Sequence, residues 1–205
     1  MHEVTATTMP APHSPSAPPD AADDGPSAEP ADPDPDQPPC SSAPARPGLV
    51  FTDPARRLTP EALAFLRRHG AGALAALRPD GPEGDVRVRL IDDAEMAQLH
   101  QRTLGDPTPT DVLTFDLGGD PAGPLDVDLA LGVDAASRQA TARGHALERE
   151  LLLYFIHGVL HCLGHDDHDE AEAAAMHARE DEILRAIGVG PVFACDNADG
   201  TGASR

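Results

Sequence analysis

The sequence predicts an α+β domain, a small mixed sheet of about four strands with about five helices, the longest apolar helix lying toward the C-terminal side. Three observations carry this expectation. Short apolar stretches, two of them alternating with period two, fall in the first part of the foldable region, and long stretches of helical periodicity close it. The span from Gly48 to Val192, roughly 145 residues, suits one domain with a sizeable core.

The elements follow in order. Gly48 to Thr52 (GLVFT) reads as a short edge strand. Thr59, Pro60 and Glu61 form a helix start: a capping hydroxyl, a proline in the first turn, and an acid near the positive end of the helix dipole. That helix runs toward Leu77, with Gly70 or Gly72 as expected interruptions. From Gly84 to Asp92, Val86, Val88 and Leu90 alternate with Asp85, Arg87 and Arg89, the pattern of a half-buried strand. Asp93 is expected to cap a helix reaching Leu104. Val112 to Leu117 reads as a buried strand and Leu125 to Gly132 as its partner. Three helices complete the domain: Asp134 to Arg143, Ala146 to Leu163, and Asp169 to Ile187 with Gly188 as its stop.

Composition sets the boundaries. Residues 1–47 are rich in Pro, Ala, Ser and Asp and hold more than half of the chain's 22 prolines. They lack apolar periodicity and are expected to form a disordered tail, because they cannot bury enough surface to offset their ordering entropy. The folded domain is expected over 48–192 and a frayed C-terminal tail over 193–205. Cys40, Cys162 and Cys195 are too scattered for a disulfide framework, which points to a reducing compartment. Met1 to Pro10 lacks the basic and apolar segments of a secretory signal, and no run approaches a membrane span, so a cytoplasmic location is expected. The formal net charge of −20 argues against sequence-independent nucleic-acid binding, which requires a basic surface. Every basic residue is arginine, and a local patch around Arg87, Arg89 and Arg102 remains compatible with phosphate recognition.

The chemistry concentrates in one stretch. His157 and His161 are four residues apart on a helix, which stacks both imidazoles on one face, the spacing two ligands of one metal need. Gly164 lets the chain leave the helix, and His165, Asp166, Asp167 and His168 then offer a third ligand. Three protein ligands with an open fourth position is the pattern of a catalytic zinc. The competing reading is a chance histidine pair followed by a solvated His/Asp loop. The spacing is close to the zinc-peptidase motif H-E-x-x-H-x-x-G-x-x-H, but Gly158 occupies the place of the glutamate, so a peptidase of that type lacks its general base.

The segment from His157 to Asp166 resembles the H-G-x-L-H-L-x-G-Y-D-H signature of the YbeY ribosomal-RNA maturation factors. A second block, Leu104 to Phe115, is similar to that family's segment ending P-T-D-V-L-S-F, and the likeness extends from about residue 85 to 188, through Gln139-Ala140 and the Met176 to Leu184 helix. The resemblance implies an α+β metal-dependent endoribonuclease, specific for single strands, that acts in maturation of small-subunit (16S) ribosomal RNA and in ribosome quality control. It implies one Zn²⁺ per chain held by His157, His161 and a third ligand. The family's third histidine aligns with Asp167, which is the expected ligand, with His168 as the alternative. It also implies ribosomal RNA and the small subunit as partners, together with a ribosomal protein or a ribosome-associated GTPase.

Asp167 is thus one departure from the family; a second is Leu104, which stands where many members carry an arginine, and similarly His100 stands where members often have asparagine. His165 replaces the family tyrosine and is expected to pack or to support the site, and His177 is expected at the surface. Cys162 is expected to pack inward, with metal ligation as its alternative. In the mechanism so implied, His157, His161 and Asp111 take the catalytic roles: zinc activates water or polarises a phosphoryl oxygen, while Asp111 orients a histidine or the substrate, its plainer alternative being a turn cap. Two further readings compete, a ribosome-assembly factor whose metal is structural and, less favoured, a metallopeptidase. Metal storage or sensing finds no support in a single three-ligand site without clustered cysteines.

Overall fold

The computed structural model of the chain describes residues 48–79, 84–118 and 123–193. The tail expected over 1–47 lies outside the described residues, as does the C-terminal tail beyond Phe193. The element order is β1 (Gly48–Thr52), α1 (Pro60–Leu77), β2 (Asp85–Ile91), α2 (Asp93–Leu104), β3 (Val112–Asp116), β4 (Asp126–Gly132), α3 (Val133–Arg143), α4 (Leu147–Cys162) and α5 (Glu170–Ala186). The sheet order is β1-β2-β4-β3, with β1, β2 and β4 parallel and β3 antiparallel to β4. This is the expected α+β class.

Period-two alternation decides what each sheet face does. Val86, Val88 and Leu90 on β2, with Val127, Leu129 and Leu131 on β4, form one face and join the main core. Helix α4 lies over this face against β3 and β4, with α1, α3 and α5 packed around it. Leu151, Leu152, Phe155, Ile156, Val159 and Leu160 of α4 are fully buried, each contributing roughly 1.5–3 kcal/mol of hydrophobic stabilisation. A helix apolar nearly all round belongs at the centre of a domain. On the opposite face, α2 seats Met96 against Ile91, Leu113 and Ala130, and Leu104 packs onto this smaller cluster.

Several local expectations are corrected. Gly70 and Gly72 do not interrupt α1, which is continuous. At Gly70 an added Cβ would lie 3.0 Å from the Phe51 ring and 3.1 Å from Leu49, so this glycine admits β1 close to the helix. Helix α2 is capped by Asp92, whose carboxylate accepts from Glu95 N–H, and Asp93 sits in the first turn. Two arginines of the suggested patch are paired with acids, Arg87 with Asp126 and Asp128 and Arg89 with Glu95, while Arg102 is exposed on α2. Among the described residues no helix is long and apolar enough to cross a membrane.

Candidate metal centre

His157 and His161 stand one turn apart near the end of α4, their rings 4.7 Å apart and nearly perpendicular. Their Nε2 atoms face each other at 3.2 Å. The opposite flank of α4 explains why the pair is held so firmly. Between the two histidines, Gly158 packs on the sheet, where an added Cβ would stand 2.7 Å from Leu129 Cδ2 and 2.9 Å from Thr114 Oγ1. A glutamate at that position requires Leu129 and Thr114 to shift. The peptidase reading therefore fails on space as well as chemistry.

Leu163 and Gly164 end the helix, Gly164 at φ 85°, a left-handed conformation that glycine adopts without strain. The chain then doubles back and Asp169 caps α5 by accepting from Glu172 N–H. Within this loop Asp167 directs its carboxylate to the histidine pair: Oδ2 is 3.8 Å from His157 Nε2 and Oδ1 is 3.9 Å from His161 Nε2. His157, His161 and Asp167 form a group whose ligand atoms all lie within 4.8 Å of one another. His168 turns away, 71% exposed, and pairs with Asp166. Those two and Asp167 make a second, largely exposed group.

Helix α5 supplies a residue that the sequence reading did not single out. Glu180 is 1% exposed and its Oε1 accepts a 2.7 Å hydrogen bond from His157 Nδ1. The bond keeps the proton of a neutral His157 on Nδ1 and turns the Nε2 lone pair toward His161 and Asp167. Burial alone would lower the His157 pKa, but the hydrogen bond and charge of Glu180, with Asp111 and Asp167, outweigh it and raise the group above its ordinary value. Burial and the neighbouring His157 lower His161. A visible signal existed for Glu180: Ala173, Met176, Glu180 and Leu184 recur at helical spacing, and all four are buried, so the carboxylate occupies an apolar-face position.

The donor set fits a zinc-like ion. Two imidazole nitrogens and a carboxylate are zinc ligands, and tetrahedral ligands at about 2.0–2.1 Å from one ion stand roughly 3.3 Å apart. The histidine pair already has that separation, and Asp167 is about half an ångström beyond it. An orphaned atom adds to the fit, since the second Glu180 oxygen is buried beside the ligand pair without a hydrogen-bond partner.

The remaining candidates divide. Asp111 stands in the wall of a cleft of about 280 Å³ that also includes His157, Asp167 and Glu180. Its Oδ1 accepts from the Val112 N–H and the Thr110 hydroxyl, so it caps the turn and adds charge to the site together. Cys162 is buried in the core with its thiol pushed up to about 12 by burial, and it takes no part in the ligand group. His165 is exposed rather than packed, and its backbone hydrogen-bonds His161. His100 contacts the Thr108 carbonyl through Nδ1 and orders the turn before β3. His177 is half-buried, stacked on Phe193 at 3.9 Å, which differs from the surface position expected for it.

Comparison with known proteins gives the same direction. Residues 64–188 match the family model described as Endoribonuclease YbeY. Among curated relatives, the Endoribonuclease YbeY of Chelativorans sp. (strain BNC1) is 40% identical over 125 residues, covering 58% of this chain and 77% of the relative. That of Moorella thermoacetica is 40% identical over 139 residues, covering 63% and 88%. The solution structure of TM1509 from Thermotoga maritima shares the fold, with a TM-score of 0.51 at 20% identity, covering 77% of this chain and 99% of that one.

Proposed function

Because this chain belongs to the Endoribonuclease YbeY family, we propose that it is a zinc-dependent endoribonuclease that cleaves single-stranded segments of small-subunit (16S) ribosomal RNA during maturation and quality control of the ribosome. The observation that carries the reading is the convergence of His157 Nε2, His161 Nε2 and the Asp167 carboxylate, with Glu180 orienting His157 from behind. These residues would hold one ion per chain, His168 being the alternative third ligand. When bound, zinc supplies Lewis acidity toward a phosphoryl oxygen or an attacking water.

The protein side chains supply the rest. Glu180 fixes the His157 tautomer, α4 fixes the spacing of the two imidazoles, and Asp167 adds an anionic oxygen that offsets part of the ion's charge. Asp111 has one carboxylate oxygen engaged by Thr110 and Val112. From the cleft wall its carboxylate orients a ligand histidine or the substrate. Tyr154, buried beside Glu150, has its hydroxyl pKa raised by burial first and by that charge second, and so stays a neutral donor. The acidic surface disfavours unaided capture of RNA at physiological salt, so the substrate is presented by the small subunit together with a ribosomal protein or a ribosome-associated GTPase, in the cytoplasm.

At low ionic strength, where the acidic surface does not prevent capture of RNA, purified full-length protein is expected to cleave a single-stranded ribosomal RNA fragment, to stop after chelation, and to resume when zinc is restored, leaving duplex RNA intact. Zinc-replete protein that leaves the single strand uncut contradicts the enzymatic reading and favours an assembly factor with a structural metal.

A further inference from the structure

The cleft continues beyond the histidine pair to the end of α3, and its charge there is uneven. Asp111, Glu150, Asp167 and Glu180 all line it, whereas Arg143 is the single arginine among the described lining residues. A phosphodiester entering this space meets carboxylates on most sides and one permanent cation. We infer that Arg143 is a substrate-positioning residue that binds a backbone phosphate flanking the one cleaved. The inference rests on the endoribonuclease reading above and deepens it.

The geometry holds Arg143 ready for that task. It is the last residue of α3, followed by Gly144 at φ 71°, which turns the chain toward α4. Nη1 donates to Glu150 Oε1 at 2.7 Å, and the guanidinium carbon lies 5.1 Å from the centre of the Phe193 ring. Phe193 is itself fixed: its N–H and that of Val192 donate to Asp181 Oδ1 at 3.1 and 2.6 Å, and its ring stacks on His177. One guanidinium nitrogen is thus anchored and the plane is seated on an aromatic ring. No second hydrogen bond to Arg143 forms among the described residues, so its other N–H groups remain for a phosphate, which the planar fork recognises in bidentate fashion. His145 Nε2 lies 3.0 Å from the other Glu150 oxygen without forming a hydrogen bond to it, so Arg143 is the hydrogen-bond partner of this carboxylate. Glu150 and His157 are two helical turns apart, about 10.5 Å along α4. Arg143 therefore reaches a phosphate neighbouring the scissile one and not the scissile phosphate itself.

The test uses full-length protein with a fluorescein-labelled single-stranded RNA oligonucleotide. Binding is measured at low ionic strength in chelator, so that no turnover intervenes, and cleavage is measured with zinc. Because Arg143→Gln alone leaves a buried carboxylate with one partner fewer, the decisive variant is the doubly neutral Arg143→Gln/Glu150→Gln, compared with Glu150→Gln and Arg143→Lys. The double variant is expected to bind about tenfold more weakly, the loss of one charge-assisted contact, and to raise KM with little change in kcat. Its dependence of log K on log salt is expected to be shallower by about 0.7, one phosphate contact on a single strand. Arg143→Lys keeps the slope but not the full affinity, and Glu150→Gln binds at least as well as the parent. Parent affinity, slope and KM in a folded double variant would overturn the assignment while leaving the endoribonuclease reading intact. A parent that neither binds nor cuts RNA overturns both.

Discussion

The two parts of the candidate metal centre are built differently. His157 and His161 stand on α4, whose register is fixed by six fully buried apolar side chains and by a glycine seated against the sheet. Asp166, Asp167 and His168 stand in a loop, where Asp167 is half-buried and its two neighbours are exposed. The helical pair has one available arrangement. The loop presents three candidate ligands in three successive residues, two carboxylates and an imidazole, and only the fold selects among them. Rigidity therefore resides in the helix and selectivity in the loop, and substitutions in the two parts should fail in different ways.

The largest effect is expected on the helix. His157→Ala removes a proposed ligand and the partner of Glu180 at once, leaving a buried carboxylate without its hydrogen bond. Metal binding and RNA cleavage should both be abolished, as read by metal analysis and a cleavage assay. A His157→Ala protein that keeps its metal would break the comparison, since the loop would then suffice. Next comes Glu180→Gln. It weakens orientation without removing a ligand, and metal affinity should fall roughly 10- to 100-fold, as for other residues that orient a metal-bound histidine. A competition titration against a chelating dye measures this, and unchanged affinity would remove Glu180 from the site.

A stability test sharpens the same contrast. Gly158→Ala places a methyl group within 2.7 Å of Leu129, and overpacking of this kind costs typically 1–3 kcal/mol, readable as a lower denaturation midpoint. Smallest of all is His168→Ala, expected to leave metal content and stability within error, because that side chain is exposed and paired only with Asp166. A clear loss of metal in this variant would move the third ligand one residue along the loop.

How much of this was legible in the sequence follows the same division. Period-two alternation in Val86, Val88 and Leu90 and the apolar periodicity of the late helices predict the sheet, the helices and the class, because burial on one face imposes those periods. The His157 and His161 pair is legible for the same reason, since a helix fixes where i and i+4 point. Sequence distance says little about which loop atom returns to the pair, so Asp167 and His168 stay alternatives until the chain is traced around Gly164. What Glu180 and Arg143 meet is not legible in the sequence because their contacts are tertiary. One is 23 residues from His157, and the other meets Phe193 from another element. Gly70 and Gly72 read as helix breakers by propensity, yet close packing of β1 at Gly70 and of Ile187 at Gly72 overrides it.

The most direct test of the account is the metal content, by mass spectrometry, of purified full-length protein beside Asp167→Ala and His168→Ala. One zinc per chain in the parent and in His168→Ala, but not in Asp167→Ala, is the result predicted by a centre of two helical histidines and one loop carboxylate. A parent without metal, or a full complement of zinc in Asp167→Ala, would contradict it.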